Sequence, residues 1–175
     1  VADAFRGTLT ASPFQTSLVP GRVTELWGYN NQCPGPVIEL REGQNVQINF
    51  ANRLPIESTI HWHGLAVPAA QDGSPMNPVA SGADQIYSFD VPIGSAGTYW
   101  YHPHAHQTTT LQVGHGLAAP LIVRAADDPL DDLPELILMI TGLALDQYGQ
   151  VASGSVLMSG MSGMMMSGAG TLLVN

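Results

Sequence analysis

Tyr99-Trp100-Tyr101-His102-Pro103-His104 decides how this sequence is read, together with an earlier counterpart, Ile60-His61-Trp62-His63-Gly64. In each, two histidines stand two residues apart. In an extended strand that spacing puts both side chains on one face, roughly 6–7 Å apart along the chain. The chain holds 6 histidines, and these two identical pairs use most of them. Such repetition points to a metal site, because neutral imidazole is the commonest metal-binding side chain and serves copper, zinc, iron and nickel. Same-face strand neighbours lie too far apart at the backbone to chelate one small ion with ease, so each pair suits two adjacent ions better than one.

The flanking sequence is that of short strands joined by turns. Asn45 to Asn52 alternates cleanly, with Val46, Ile48 and Phe50 on one side and Gln47 and Asn49 on the other, and Gln85 to Val91 repeats the pattern. Further strands are expected over Arg22–Tyr29, Val37–Leu40, Ser58–His63, Gly97–His102 and Gly116–Arg124. Pro120 in the last of these argues for a sheet edge or a bulge. Residues 1–20 read as mixed and polar, and Ala105–Val113, free of proline and glycine, as a short helix. Trp62 should face away from its flanking histidines and pack inside. Strands at this spacing, with 19 glycines and 13 prolines, predict a β-sandwich or barrel ending near Arg124.

Beyond it, Asp127-Asp128-Pro129-Leu130-Asp131-Asp132 reads as a solvated acidic connector, and Glu135 to Thr141 as a buried strand. Ser153 to Gly170 is nearly all Gly, Ser and Met, including Met158, Met161, Met164, Met165 and Met166, and Thr171–Val174 is a last short strand. Thioethers select Cu(I), but a Gly/Ser loop with methionines on a partner surface is the simpler reading. Residues after Leu133 are too few to fold alone and are expected to open a second, incomplete domain. The expected division is therefore 1–125, a linker at 126–134, and 135–175.

The net charge of −9, with no lysine, leaves no electrostatic footprint for nucleic acid, and no stretch approaches the roughly 20 apolar residues of a membrane span. Neither partner is expected. The single cysteine, Cys33, has no histidine near it in sequence, so a blue copper site is not built around it. It reads as a small turn residue or the partner of a segment elsewhere. Zinc would need only four ligands, or three and a water, and a cupin-type iron site would need a carboxylate that Leu65-Ala66-Val67-Pro68 does not offer.

The sequence resembles the amino-terminal domain of three-domain multicopper oxidases, the group of laccases and bacterial copper-efflux oxidases. The resemblance runs through Pro34-Gly35-Pro36-Val37-Ile38, His61-Trp62-His63-Gly64, Asp72-Gly73, Gly97 to His104, Gly116 to Val123, Asp131-Asp132-Leu133-Pro134 and Thr171 to Asn175. It implies an all-β, cupredoxin-like Greek-key sandwich followed by the first strands of a second such domain. It further implies that His61 binds a type 2 copper and that His63, His102 and His104 serve a type 3 pair. These would be half the ligands of a trinuclear cluster completed by the remainder of the same protein, with the type 1 copper outside this chain. Implied partners are dioxygen and a small reducing substrate, a phenol or a metal ion, and the implied location is periplasmic or secreted. Asp72, nine positions after His63, stands where similar enzymes keep an acidic residue that relays protons. The resemblance assigns no ligand role to His106, expected to stand behind the ligands or to be structural, or to His115, expected to be structural. A copper carrier without oxidase activity is the alternative.

Overall fold

The computed structural model describes residues 4–128, 132–152 and 170–174. Two four-stranded sheets face each other. One has the order β2 (Thr24–Tyr29), β1 (Phe5–Thr16), β4 (Asn45–Asn52), β6 (Asp84–Asp90). The other runs β3 (Ile38–Arg41), β8 (Ala119–Arg124), β7 (Gly97–His102), β5 (His61–His63). The pairs β1/β4 and β3/β8 are parallel and the remaining neighbours antiparallel. From β2 to β7 the chain changes sheet at every connection, which gives the expected cupredoxin-like sandwich.

The period-two segments behave as their patterns predict. Val46, Ile48 and Phe50 of β4 and Tyr87 and Phe89 of β6 are buried and meet Trp62, Tyr101 and Leu121 of the opposite sheet. Trp62 is fully enclosed, its ring 5.3 Å from Phe89 and 5.9 Å from Tyr101.

Several expectations need correction. Residues 5–16 form a strand of 12 residues, not a mixed polar segment. Its inward positions include Gly7 and Ala11, which carry little hydrophobic signal, and its pairing passes from β4 to β2 at Ala11. The strand expected from Ser58 shrinks to His61–His63. Ser58 makes only a bridge to Val79, and the Ile60 N–H donates to the Tyr87 hydroxyl at 3.0 Å. Pro120 lies in an interior strand, but it stands one residue before the β3 ladder begins at Leu121. The helix α1 is confined to Thr109–Gly114, after Gln107 takes a left-handed φ of 59°.

Glu135–Thr141 is not a buried strand. Leu136, Leu138 and Ile140 are exposed, because no layer among the described residues faces them. Strand β9 begins only at Ile140 (Ile140–Ala144) and pairs antiparallel with β10 (Gly170–Val174) as a separate two-stranded sheet. The turn after β9 lies against the free side of β2, where the buried Thr24 hydroxyl donates to the Gly149 carbonyl at 2.6 Å. Arg124 bridges Glu39 and Glu135. The five methionines of the Gly/Ser/Met segment lie outside the described residues. Among the described residues no helix is long and apolar enough to cross a membrane.

Candidate metal centre

The short strand β5 pairs with the end of β7 in the register His61↔His102, Trp62↔Tyr101, His63↔Trp100. Residues paired across a ladder share a face, so His61, His63, Trp100 and His102 project from one side of the sheet while Trp62 and Tyr101 enter the core. Gly64 turns the chain away after His63 with a φ of 88°, in the left-handed region glycine favours. His104 follows β7 and Pro103 and is not on a strand.

One ligand nitrogen from each of His61, His63 and His102 lies within 4.8 Å of the others. His104 stands beside them, its ring centre 5.2 Å from His61 and 6.2 Å from His102. The tightest approach crosses the two motifs, with His63 Nδ1 and His102 Nε2 only 3.1 Å apart. Nitrogens held side by side on one ion, with bonds of roughly 2.0–2.1 Å, are separated by about 3 Å. The same distance serves a hydrogen bond between the two rings, so it is the all-imidazole donor set that fits a transition metal and suits copper.

The remaining ring nitrogens are anchored. His102 Nδ1 donates to the Pro103 carbonyl at 2.8 Å, which turns the lone pair of Nε2 toward His63 in the neutral ring. Burial keeps that ring neutral, pushing its pKa down from 6.5 to about 4; the Pro103 hydrogen bond opposes the shift, and the neighbouring histidines add to it. His61 Nδ1 donates to the Asp72 carbonyl at 3.0 Å, leaving Nε2 free for a metal. Asp72 Oδ1 also lies 3.1 Å from His61 Nδ1, yet it makes no well-aligned hydrogen bond there and is a buried acceptor without another partner. The carbonyl, being aligned, takes the proton.

The Asp72 loop is pressed close. A Cβ on Gly73 would sit 1.9 Å from the Ile60 carbonyl oxygen, and Gly73 has a φ of 62°. The indole N–H of Trp62 donates to the Gln71 carbonyl at 2.9 Å, tying the same loop to β5.

Some contributors escaped the sequence reading. Trp100 stacks on His102 with ring centres 4.0 Å apart and lies 4.9 Å from His63, so it packs against both members of the closest pair. Its position two residues before His102 was the signal available. The carbonyls of Asp72 and Pro103 carried none, because every residue has one. His115 is structural, its ring 4.8 Å from Trp27 and its Nδ1 donating to the Leu111 carbonyl at 2.7 Å. His106 is exposed and outside the three-histidine group. Cys33 is half-buried in the turn after β2, its thiol pushed up to about 11 by burial.

A family model described as multicopper oxidase matches residues 12–128. This chain belongs to the multicopper oxidase family. It is 35% identical over 127 residues to a multicopper oxidase of Staphylococcus aureus, covering 73% of this chain and 28% of that protein. A copper resistance protein A homolog of Pseudomonas syringae is 32% identical, covering 85% and 25%. Among solved structures, a multicopper oxidase from Campylobacter jejuni, described as a metallo-oxidase, superposes with a TM-score of 0.82 at 44% identity, covering 85% of this chain and 31% of that one. McoA of Aquifex aeolicus gives 0.81 at 33% identity, covering 99% and 39%. The chain thus spans between a quarter and two-fifths of these relatives. Family membership and the histidine cluster together make copper the metal of this site.

Proposed function

We propose that residues 1–125 form the amino-terminal domain of a multicopper oxidase, joined by the linker 126–134 to the start of a second domain at 135–175. The domain supplies half the ligands of a trinuclear copper cluster, with His61 on the type 2 copper and His63, His102 and His104 on the type 3 pair. The observation that carries this reading is the 3.1 Å approach of His63 Nδ1 to His102 Nε2, which joins one histidine from each motif. The remainder of the protein completes the site. Copper, when bound, supplies the reduction of dioxygen to two waters coupled to four one-electron oxidations of a phenol or metal ion. A periplasmic or secreted location follows the same reading.

In this reading the residues of the chain orient imidazole nitrogens and manage protons. Burial keeps His102 unprotonated, and the Pro103 carbonyl fixes its tautomer. Asp72 is the proton relay: one carboxylate oxygen is buried 3.1 Å from His61 Nδ1, while its side chain remains 32% exposed and reaches solvent.

Copper analysis tests the assignment. The full-length protein should hold about four ions as a multicopper oxidase and consume oxygen with a reducing substrate, whereas this chain alone should hold little copper tightly. Copper binding without oxygen consumption would favour the carrier. Asp72→Asn should slow oxygen reduction roughly 10–100-fold, the loss typical of a partner behind a metal ligand, with copper content near normal. Unchanged turnover would remove Asp72 from the mechanism.

A further inference from the structure

His61, His63 and His102 are placed by the β5/β7 ladder, but His104 lies past the end of β7 and follows a proline, which has no N–H to extend the ladder. Its backbone is reached instead by one side chain from the segment that enters β5. The His104 N–H donates to Thr59 Oγ1 at 2.7 Å, and Thr59 is fully buried.

Thr59 follows Ser58, a member of a buried polar seam. The neighbouring Ser58 hydroxyl donates to Gln112 Oε1 at 2.7 Å, and Gln112 Nε2 donates to the Glu57 carbonyl at 3.0 Å and to the Thr108 hydroxyl at 2.9 Å. Ser58 and Gln112 are also fully buried. A buried polar network with each of these contacts made has a single low-energy arrangement. It joins the segment entering β5 to helix α1, the segment that follows His104.

We propose that Thr59 is a positioning residue for His104, fixing the one histidine of the four that the ladder leaves free. The inference rests on the reading of His104 as a copper ligand. The hydroxyl holds the His104 amide, and the amide sets where the imidazole emerges. Loss of the acceptor lets His104 drift from the ion it shares with the rest of the protein, while the other three histidines keep their ladder.

The test uses the full-length, copper-loaded protein, with copper retention against a chelator and thermal melting measured side by side. Thr59→Val keeps the shape and removes the acceptor. It should weaken retention of the His104-bound ion about 10–100-fold, the range for lost partners behind a metal ligand, and approach the behaviour of His104→Ala. Thr59→Ser should restore wild-type retention. Ser58→Ala, which damages the neighbouring seam and leaves the Thr59–His104 contact in place, should lower the melting temperature and leave copper retention intact. The inference is overturned if Thr59→Val retains copper like wild type while His104→Ala loses it. Equal copper loss in Ser58→Ala overturns it too, as does a Thr59→Val protein that fails to fold where Ser58→Ala folds. Unchanged retention in His104→Ala overturns the ligand assignment itself, and this inference with it.

Discussion

His61 and His63 both stand on β5, paired in register with β7, and the residue between them, Trp62, is fully buried among Tyr87, Phe89 and Tyr101. His102 ends β7, Pro103 follows, and His104 leaves the sheet to be held at its amide by Thr59. The same two-residue spacing is therefore built in two ways. The first motif is locked by hydrophobic core and ladder, so its geometry is as stable as the fold. The second is half ladder and half a single polar contact, so its outer histidine can be disturbed without unfolding the sandwich.

The sharpest way to expose this difference is to remove the packing beneath the first motif. Trp62→Ala should cost about 3–5 kcal/mol, the range for deleting a buried aromatic side chain, and should abolish metal binding along with the fold. Denaturant unfolding with copper analysis measures both. A Trp62→Ala protein that melts like wild type would show that β5 is not anchored through the core.

A second disturbance acts on the loop that holds His61 from behind. Gly73→Ala should cost roughly 2–4 kcal/mol, from a left-handed backbone that alanine resists and from the clash with Ile60. The Asp72 carbonyl would have to move, releasing His61 Nδ1 while His63 and His102 keep their approach. On the proposed assignment of His61 to a copper apart from the other three histidines, copper loss confined to one ion per protein is the expected result. Loss of every ion would place the loop in the general fold instead.

Legibility in the sequence followed the strength of side-chain pattern. β4 and β6 could be read because their inward residues are large and apolar, and the histidine cluster because four rare side chains repeat one spacing. β1 could not, since Gly7 and Ala11 occupy inward positions where a pattern needs bulk. The apolar run 135–141 misled for the opposite reason, since hydrophobic composition reports a need for cover and not where the cover lies. At the site, the residue types were visible, but the 3.1 Å contact between His63 and His102 depends on strand register, and the anchoring carbonyls of Asp72 and Pro103 have no side-chain signature.

The smallest expected effect bears on the second motif. Pro103 contributes a carbonyl to His102, which alanine would also supply, and a rigid buried ring, which it would not. Pro103→Ala should therefore cost roughly 1–2 kcal/mol, part from greater freedom of the unfolded chain and part from the lost buried methylenes. His102 keeps its tautomer in the variant because the carbonyl remains. If Thr59 alone sets His104, copper retention should hardly change despite the lower stability. If the stiffness of proline shares that task, retention should fall in Pro103→Ala and fall further than additively in the Thr59→Val double variant, since two supports of one residue are coupled.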